Sequence, residues 1–486
     1  MQPTVSERAG QTPSTDELWR WSAVQTAAAI KRKEISALEV TTSCLERIDT
    51  VNPHLNALVE VSADAAVEAA RVADRMVAAG QALGPLHGVP TSTKINSDQK
   101  GLATTDGVVA WAKEIAPQDS PQVASLRQAG AIFLGRSNSP AFSYRWFSNN
   151  ELHGSTLNPW DPTRTPGGSS GGASSSVASG MVAIGQGNDI GGSIRYPAYA
   201  CGVVGLRPTV GRVPGYLGPR DGDNPVSVQT MAVNGPLART VGDVRLGLAA
   251  MSGYHPFDTV SIPGAPAAEV RRPLKVGVVT RNGVFTSTPA VEGALRQAAS
   301  WLGDAGYEVE DVELPMLEEA YRIWYLLCME DFRLLMPLVE QIGDHGMKTA
   351  AANYYAVAAE WWGEKPSLAD YINGYARRGT LIRQLQGLFE SYSLFLLPVS
   401  AEQAFEQDAD IASVESMRRV MAAQYSMMAI PLLGFPAMSV PTGVADGLPL
   451  GVQLLGRRFG EESLLDAGAA IEARAGVITP IDPAGA

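Results

Sequence analysis

Two short clusters of glycine and serine constrain this chain more than any other feature of its sequence. The first is Pro166-Gly167-Gly168-Ser169-Ser170-Gly171-Gly172, continued by a serine-rich run to Gly180; the second is Gly187-Asn188-Asp189-Ile190-Gly191-Gly192-Ser193-Ile194-Arg195. Residues this small let backbone pass close to other atoms and adopt positive φ, so amide N–H groups can face a reacting centre. A solvated linker is a poor reading, because Val177, Met181, Val182, Ile184 and Ile190 interleave apolar side chains that a linker does not need. A phosphate cradle is also a poor reading. The Walker pattern ends in Gly-Lys-Ser/Thr and the dinucleotide fingerprint runs Gly-x-Gly-x-x-Gly, and neither spacing occurs in the clusters.

Around these clusters helical and strand-like segments alternate. Ser36 and Glu39 have the spacing of a capping box before Leu38, Leu45 and Ile48, and Ser120-Pro121 starts a short helix that leads into the strand-like Ala131 to Leu134. The grammar returns where Leu274 to Val279 reads as a strand, Thr288-Pro289 opens a helix, Gly306 ends it, and Tyr307 to Val312 alternates. Leu394 to Val399 and Val452 to Leu455 add strands. Such alternation predicts an α/β fold: a large, twisted, mixed and mostly parallel sheet with helices on both faces. Pro208 to Asn234 reads as a long surface loop bordering a pocket. Residues 313–383 read as helical and as a cap-like insertion. One domain over 18–475 is expected, with tails at 1–17 and 476–486 and a catalytic core near 84–214.

Composition narrows the function. With 45% hydrophobic and 18% charged residues the chain suits a globular protein with a large core. A net charge of -12 and the absence of a Lys/Arg run of the sort that tracks nucleic acid disfavour nucleic acid as a partner. Cys44, Cys201 and Cys328 are too few and too scattered for a disulfide framework or a zinc cluster. Met1 to Gly10 lacks a signal-peptide core, and the longest apolar run, near Met427 to Val440, is broken by Pro431 and Pro436. The cytoplasm is therefore the expected compartment, with no membrane partner.

From Pro166 through Cys201-Gly202-Val203-Val204-Gly205-Leu206-Arg207-Pro208-Thr209 the chain resembles the signature segment of the amidase signature family. Gly84-Pro85-Leu86-His87-Gly88-Val89-Pro90 before Lys94, Gly135-Arg136-Ser137-Asn138, Asn158-Pro159-Trp160-Asp161, Pro436 to Pro441 and Gly447 to Gln453 are similar as well, so the resemblance spans roughly residues 18 to 475. It implies Ser193 as nucleophile, Ser169 as the bridging serine after a cis peptide, and Lys94 as base. Family members commonly carry Asp directly after the lysine, where this chain has Ile95, then Asn96, and Asp98 further on. Asn188 replaces a frequent threonine, and Ala141 stands where an acidic residue often follows the Asn-x-Pro element.

The chemistry of that assignment is coherent. A serine hydroxyl needs a base, and a lysine serves only when neutral, which requires burial to bring its pKa from about 10.4 to about 7. The largely uncharged Val89 to Ile95 stretch could supply that burial. The amides of Ile190, Gly191, Gly192 and Ser193 are candidates for an oxyanion hole, with Asp189 and Arg195 shaping the loop. Asn138, Phe142, Tyr144, Trp146 and Cys328 are candidate pocket residues. The expected reaction is hydrolysis of a small aryl or apolar amide through an acyl-enzyme, with carbamates or esters as further substrates, no metal or cofactor, and a homodimer as the assembly. The alternatives are the glutaminase-like component of a tRNA-dependent amidotransferase and a catalytically inert binding protein of the same fold.

Overall fold

The computed structural model describes residues 15–215, 223–264, 274–280 and 286–485. Most of the expected N-terminal tail, 1–14, and part of the expected surface loop, 216–222, lie outside them. Among the described residues there are thirteen strands: β1 (Leu58–Val61), β2 (Pro90–Lys94), β3 (Ile132–Ser137), β4 (Asn149–Asn150), β5 (Gly154–Ser155), β6 (Ile184–Asp189), β7 (Val204–Arg207), β8 (Val233–Ala238), β9 (Lys275–Val278), β10 (Glu308–Asp311), β11 (Leu394–Pro398), β12 (Ala437–Ala445) and β13 (Leu448–Gly456). Eleven form one sheet in the order β1-β3-β2-β6-β8-β7-β12-β13-β11-β9-β10, while β4 and β5 pair separately.

The sheet is mixed, as the sequence predicts, but it is not mostly parallel. Parallel pairing occurs toward its two ends, in β3-β2-β6 and β11-β9-β10, and the centre from β6 through β11 is antiparallel. The reason is local. Asp446 and Gly447 take φ of 50° and 77°, the left-handed pair that folds a tight hairpin, so β12 and β13 run in opposite directions without a crossover helix.

Both faces are covered. Along β11, Leu394 and Leu396 enter one apolar cluster with the helices Pro289–Asp304, Val241–Met251 and Glu461–Ala475. Phe395 and Leu397 point the other way, into a cluster with Met316–Ile342, His345–Trp362 and Tyr425–Leu433. This two-residue alternation is what a sheet buried on both sides imposes. Edge strand β10 is fully exposed and carries Glu308, Glu310 and Asp311, charges that discourage pairing with another chain.

Local signals act where expected. Ser36 and Glu39 form a reciprocal capping box, and Thr288 Oγ1 accepts from the N–H of Val291 at the start of Pro289–Asp304. Within the expected loop at 208–234, Val226–Met231 forms a helix and β8 begins at Val233. The 313–383 segment holds the helices Met316–Ile342 and His345–Trp362 and most of Leu368–Leu388, and their apolar residues share one cluster with β11, β12 and β13. After Glu461–Ala475 the chain packs back on the body, where Ile481 N–H donates to Ala178 O and Ala484 N–H to Pro159 O, both at 2.9 Å. No helix among the described residues is long and apolar enough to cross a membrane.

Candidate active site

Strand β2 ends at Lys94; β3 and β6 pair with its two edges, and all five of its residues are buried. The Lys94 side chain is fully buried, and burial pushes its ammonium down to about 7 against the opposing pull of Asp106 and Asp189. Its Nζ lies 2.6 Å from Ser169 Oγ and 2.8 Å from Asn188 Oδ1.

Ser169 follows a cis Gly168–Ser169 peptide. Gly168 is required by close approach: a Cβ there would stand 2.5 Å from Arg145 O and 2.6 Å from Phe147 N. The next turn opens the helix Gly171–Ala178, whose eight residues are all buried. Its serines answer to packing: Ser174 Oγ donates to Pro166 O, Ser175 Oγ to Leu157 O and Ser176 Oγ to Ala173 O. Ser170 N–H donates to Ser193 O at 3.2 Å, which stitches the segment bearing Ser169 to the turn bearing Ser193.

That turn leaves the end of β6 and enters the helix Arg195–Cys201. Asp189, wholly buried, anchors it: Oδ1 accepts from Gly192 N–H at 2.8 Å and Oδ2 from Ile194 N–H at 3.2 Å, while Arg195 forks onto both oxygens at 3.0 Å. Arg207 donates to the Asp189 carbonyl at 2.5 Å. Burial works to raise the Asp189 carboxyl, but Arg195 and Arg207 outweigh it and hold it at about 2. Two indoles grip the same turn from the other side, Trp324 Nε1–H on Ile190 O at 2.8 Å and Trp146 Nε1–H on Gly191 O at 2.9 Å. Gly192 has φ of 97°, and a Cβ there would meet Met427 Cε at 2.2 Å.

The four amides expected to face an oxyanion are therefore not equivalent. Gly192 N–H is spent on Asp189, whereas the N–H groups of Ile190, Gly191 and Ser193 have no protein acceptor among the described residues. The candidate pocket residues also divide. Asn138 is a buried structural knot, with Nδ2 donating to Gly154 O and Thr156 Oγ1, and Oδ1 accepting from Ser139 and Asn150. Phe142 packs edge-on against Trp111. Tyr144 packs at a tilt against Phe332 and edge-on against Tyr354, Trp146 holds the turn, and Cys328 is buried, with its thiol pushed up by that burial. Trp324, Met427 and Met428, which sequence reading missed, touch the turn directly. They lie in segments far from it in sequence, and the aromatic run around Trp324 was the one available hint.

The match to a family model decides the relationship: the model described as Amidase covers residues 39–465. The chain belongs to the amidase family. It is thereby an amide-hydrolysing enzyme. The chain is 41% identical over 95% of its length to an indoleacetamide hydrolase of Bradyrhizobium diazoefficiens, covering 88% of that protein. It is 33% identical over 94% of its length to one component of the glutamyl-tRNA(Gln) amidotransferase of Acidothermus cellulolyticus, covering 95% of that component. Among solved structures, a bacterial aryl acylamidase of the amidase signature family superposes with a TM-score of 0.79 at 27% identity, over 95% of this chain and 97% of that one. That structure shares this chain's fold, a large mixed sheet wrapped in helices.

Proposed function

We propose that the enzyme hydrolyses a small aryl-bearing amide by acyl transfer through Ser193, with Ser169 and Lys94 moving protons. The observation that carries this reading is the fully buried Lys94 Nζ at 2.6 Å from Ser169 Oγ, a lysine pushed down to about 7 and therefore half neutral near neutral pH. Neutral Lys94 takes the proton of Ser169, Ser169 takes that of Ser193, and Ser193 Oγ attacks the amide carbonyl. The oxyanion is met by the N–H groups that the turn leaves unspent, those of Ile190, Gly191 and Ser193. The proton returns to the leaving nitrogen, ammonia or amine departs, and water then releases the carboxylic acid.

The substrate class follows from two supports. Aromatic and thioether side chains surround the turn, among them Trp146, Trp324, Met427 and Met428, which suits a flat apolar acyl group. The 41% identical relative is an indoleacetamide hydrolase. We therefore assign an arylacetamide such as indoleacetamide, with ammonia as the leaving group, acting in the cytoplasm, as a homodimer and without nucleic acid. The amidotransferase reading ranks below it, at 33% identity.

A fluorophosphonate probe should label the wild type and not Ser193→Ala, and indoleacetamide should release ammonia faster than glutamine does. An unlabelled, inactive wild type would point to the inert reading, and a preference for glutamine to the amidotransferase reading.

A further inference from the structure

The departures that set this chain apart, Ile95-Asn96 after the lysine and Asn188 in the second cluster, meet in one hydrogen-bond chain. Lys94 Nζ donates to Asn188 Oδ1 at 2.8 Å, Asn188 Nδ2 to Asn96 Oδ1 at 2.9 Å, Asn96 Nδ2 to Ser143 Oγ at 2.9 Å, and Ser143 Oγ to Asp106 Oδ1 at 2.7 Å. Backbone contacts hold the far end in place: Asp106 N–H donates to Ile95 O at 3.3 Å and Phe142 N–H to Asp106 O at 3.0 Å. Asp106, Phe142 and Ser143 take φ of 45°, 56° and 53°, left-handed values that turn Ser143 back toward Asp106.

A carboxamide can present either its oxygen or its nitrogen in a given direction, and only its partners decide which. A carboxylate can only accept. Asp106 therefore forces Ser143 to donate, Ser143 in turn accepts from Asn96, Asn96 presents its oxygen to Asn188, and Asn188 presents its oxygen to Lys94. Neutral Lys94 has two N–H bonds and one lone pair. With one N–H committed to Asn188, the lone pair is free to face Ser169.

On the reading above of Lys94 as base, we propose that Asp106 is a positioning residue that acts through Ser143, Asn96 and Asn188 to fix the orientation of the Lys94 amine. The charged groups facing that amine are Asp106 and Asp189, the latter matched by Arg195 and Arg207, and Arg136 lies against the Lys94 carbonyl at 3.2 Å. Asp106 is thus a carboxylate whose charge and whose hydrogen bond both bear on the base.

The test is ammonia release from phenylacetamide by Asp106→Asn, Ser143→Ala, Asn188→Asp and Lys94→Ala, with kcat and KM measured against pH. Asparagine keeps the left-handed backbone that aspartate tolerates at position 106, so Asp106→Asn is expected to fold. Ser143→Ala should lower kcat about tenfold with KM nearly unchanged, the signature of a misdirected base. Asp106→Asn should show the same loss and move the acidic limb of kcat/KM to lower pH. Asn188→Asp, which sets a carboxylate against Lys94, should move the limb up by about one unit. Wild-type kcat and limb positions in the folded Asp106, Ser143 and Asn188 variants would overturn the proposal while Lys94→Ala stays inactive. An active Lys94→Ala would instead overturn the reading on which it rests.

Discussion

At the residue scale the cost of the site is concentrated in Lys94. Burial holds its ammonium near 7, whereas in an unfolded chain it titrates near 10.4. Between those values the unfolded state binds a proton that the folded state lacks, so this residue's contribution to stability rises with pH across that window and is least favourable below it. Lys94→Met is accordingly expected to be inactive yet more stable than wild type, by about 4 kcal/mol at pH 7 and about 2 kcal/mol at pH 9 before the lost hydrogen bonds are deducted. Urea midpoints at the two pH values check this; a gain that does not shrink at pH 9 would contradict it. In the wild type the same titration should appear as an acidic limb in kcat/KM near pH 7, falling about tenfold per unit below it, because only the neutral amine accepts a proton.

At the element scale the turn between β6 and the helix Arg195–Cys201 is the part whose shape matters most. Its carbonyls at Ile190 and Gly191 are held by Trp324 and Trp146. The first belongs to the peptide that carries the Gly191 N–H and the second to the peptide whose Gly192 N–H is bonded to Asp189, so the two indoles fix both peptide planes and with them the direction of the Gly191 N–H. Trp146→Phe and Trp324→Phe keep the aromatic bulk and remove one anchor each. Each is expected to lower kcat roughly tenfold, the equivalent of one net hydrogen bond, with a much smaller change in KM. A loss confined to KM would mean that the indole N–H bonds do not hold the turn in its working shape. How much of this is legible in the sequence depends on sequence distance. Ser169, Ser193, Asp189 and Arg195 sit in glycine-rich clusters that stand out in the sequence, and the resemblance to the amidase signature family is what implies Ser193, Ser169 and Lys94 as the working residues. The indole anchors, Met427 and the Asn96–Ser143–Asp106 chain join segments that meet only after β2, β3 and β6 are assembled. Helix–strand alternation predicts a mostly parallel sheet, and it outweighs the Asp446-Gly447 hairpin, which is a two-residue signal. The use of Gly192 N–H by Asp189 follows from side-chain direction, which no spacing encodes.

At the scale of the whole molecule the issue is whether the helices from Met316 to Leu388 are a cap or part of the body. Their apolar residues, including Tyr325, Leu326 and Leu381, lie in the same buried cluster as Phe395, Leu397 and Leu455 of the sheet and Met427 beneath the turn. Trp324 on the first of these helices is also bonded to the turn. A segment packed against β11, β12 and β13 cannot open by itself without exposing the residues that hold the site, so folding of the two parts is expected to be coupled. Tryptophan reporters stand in both, with Trp361 and Trp362 in the helices and Trp301 beneath the opposite face. Thermal unfolding followed by far-UV circular dichroism, tryptophan fluorescence and loss of amidase activity is expected to give one coincident transition. An earlier step in fluorescence and activity, with the sheet signal intact, would show instead that the helices melt as a unit of their own.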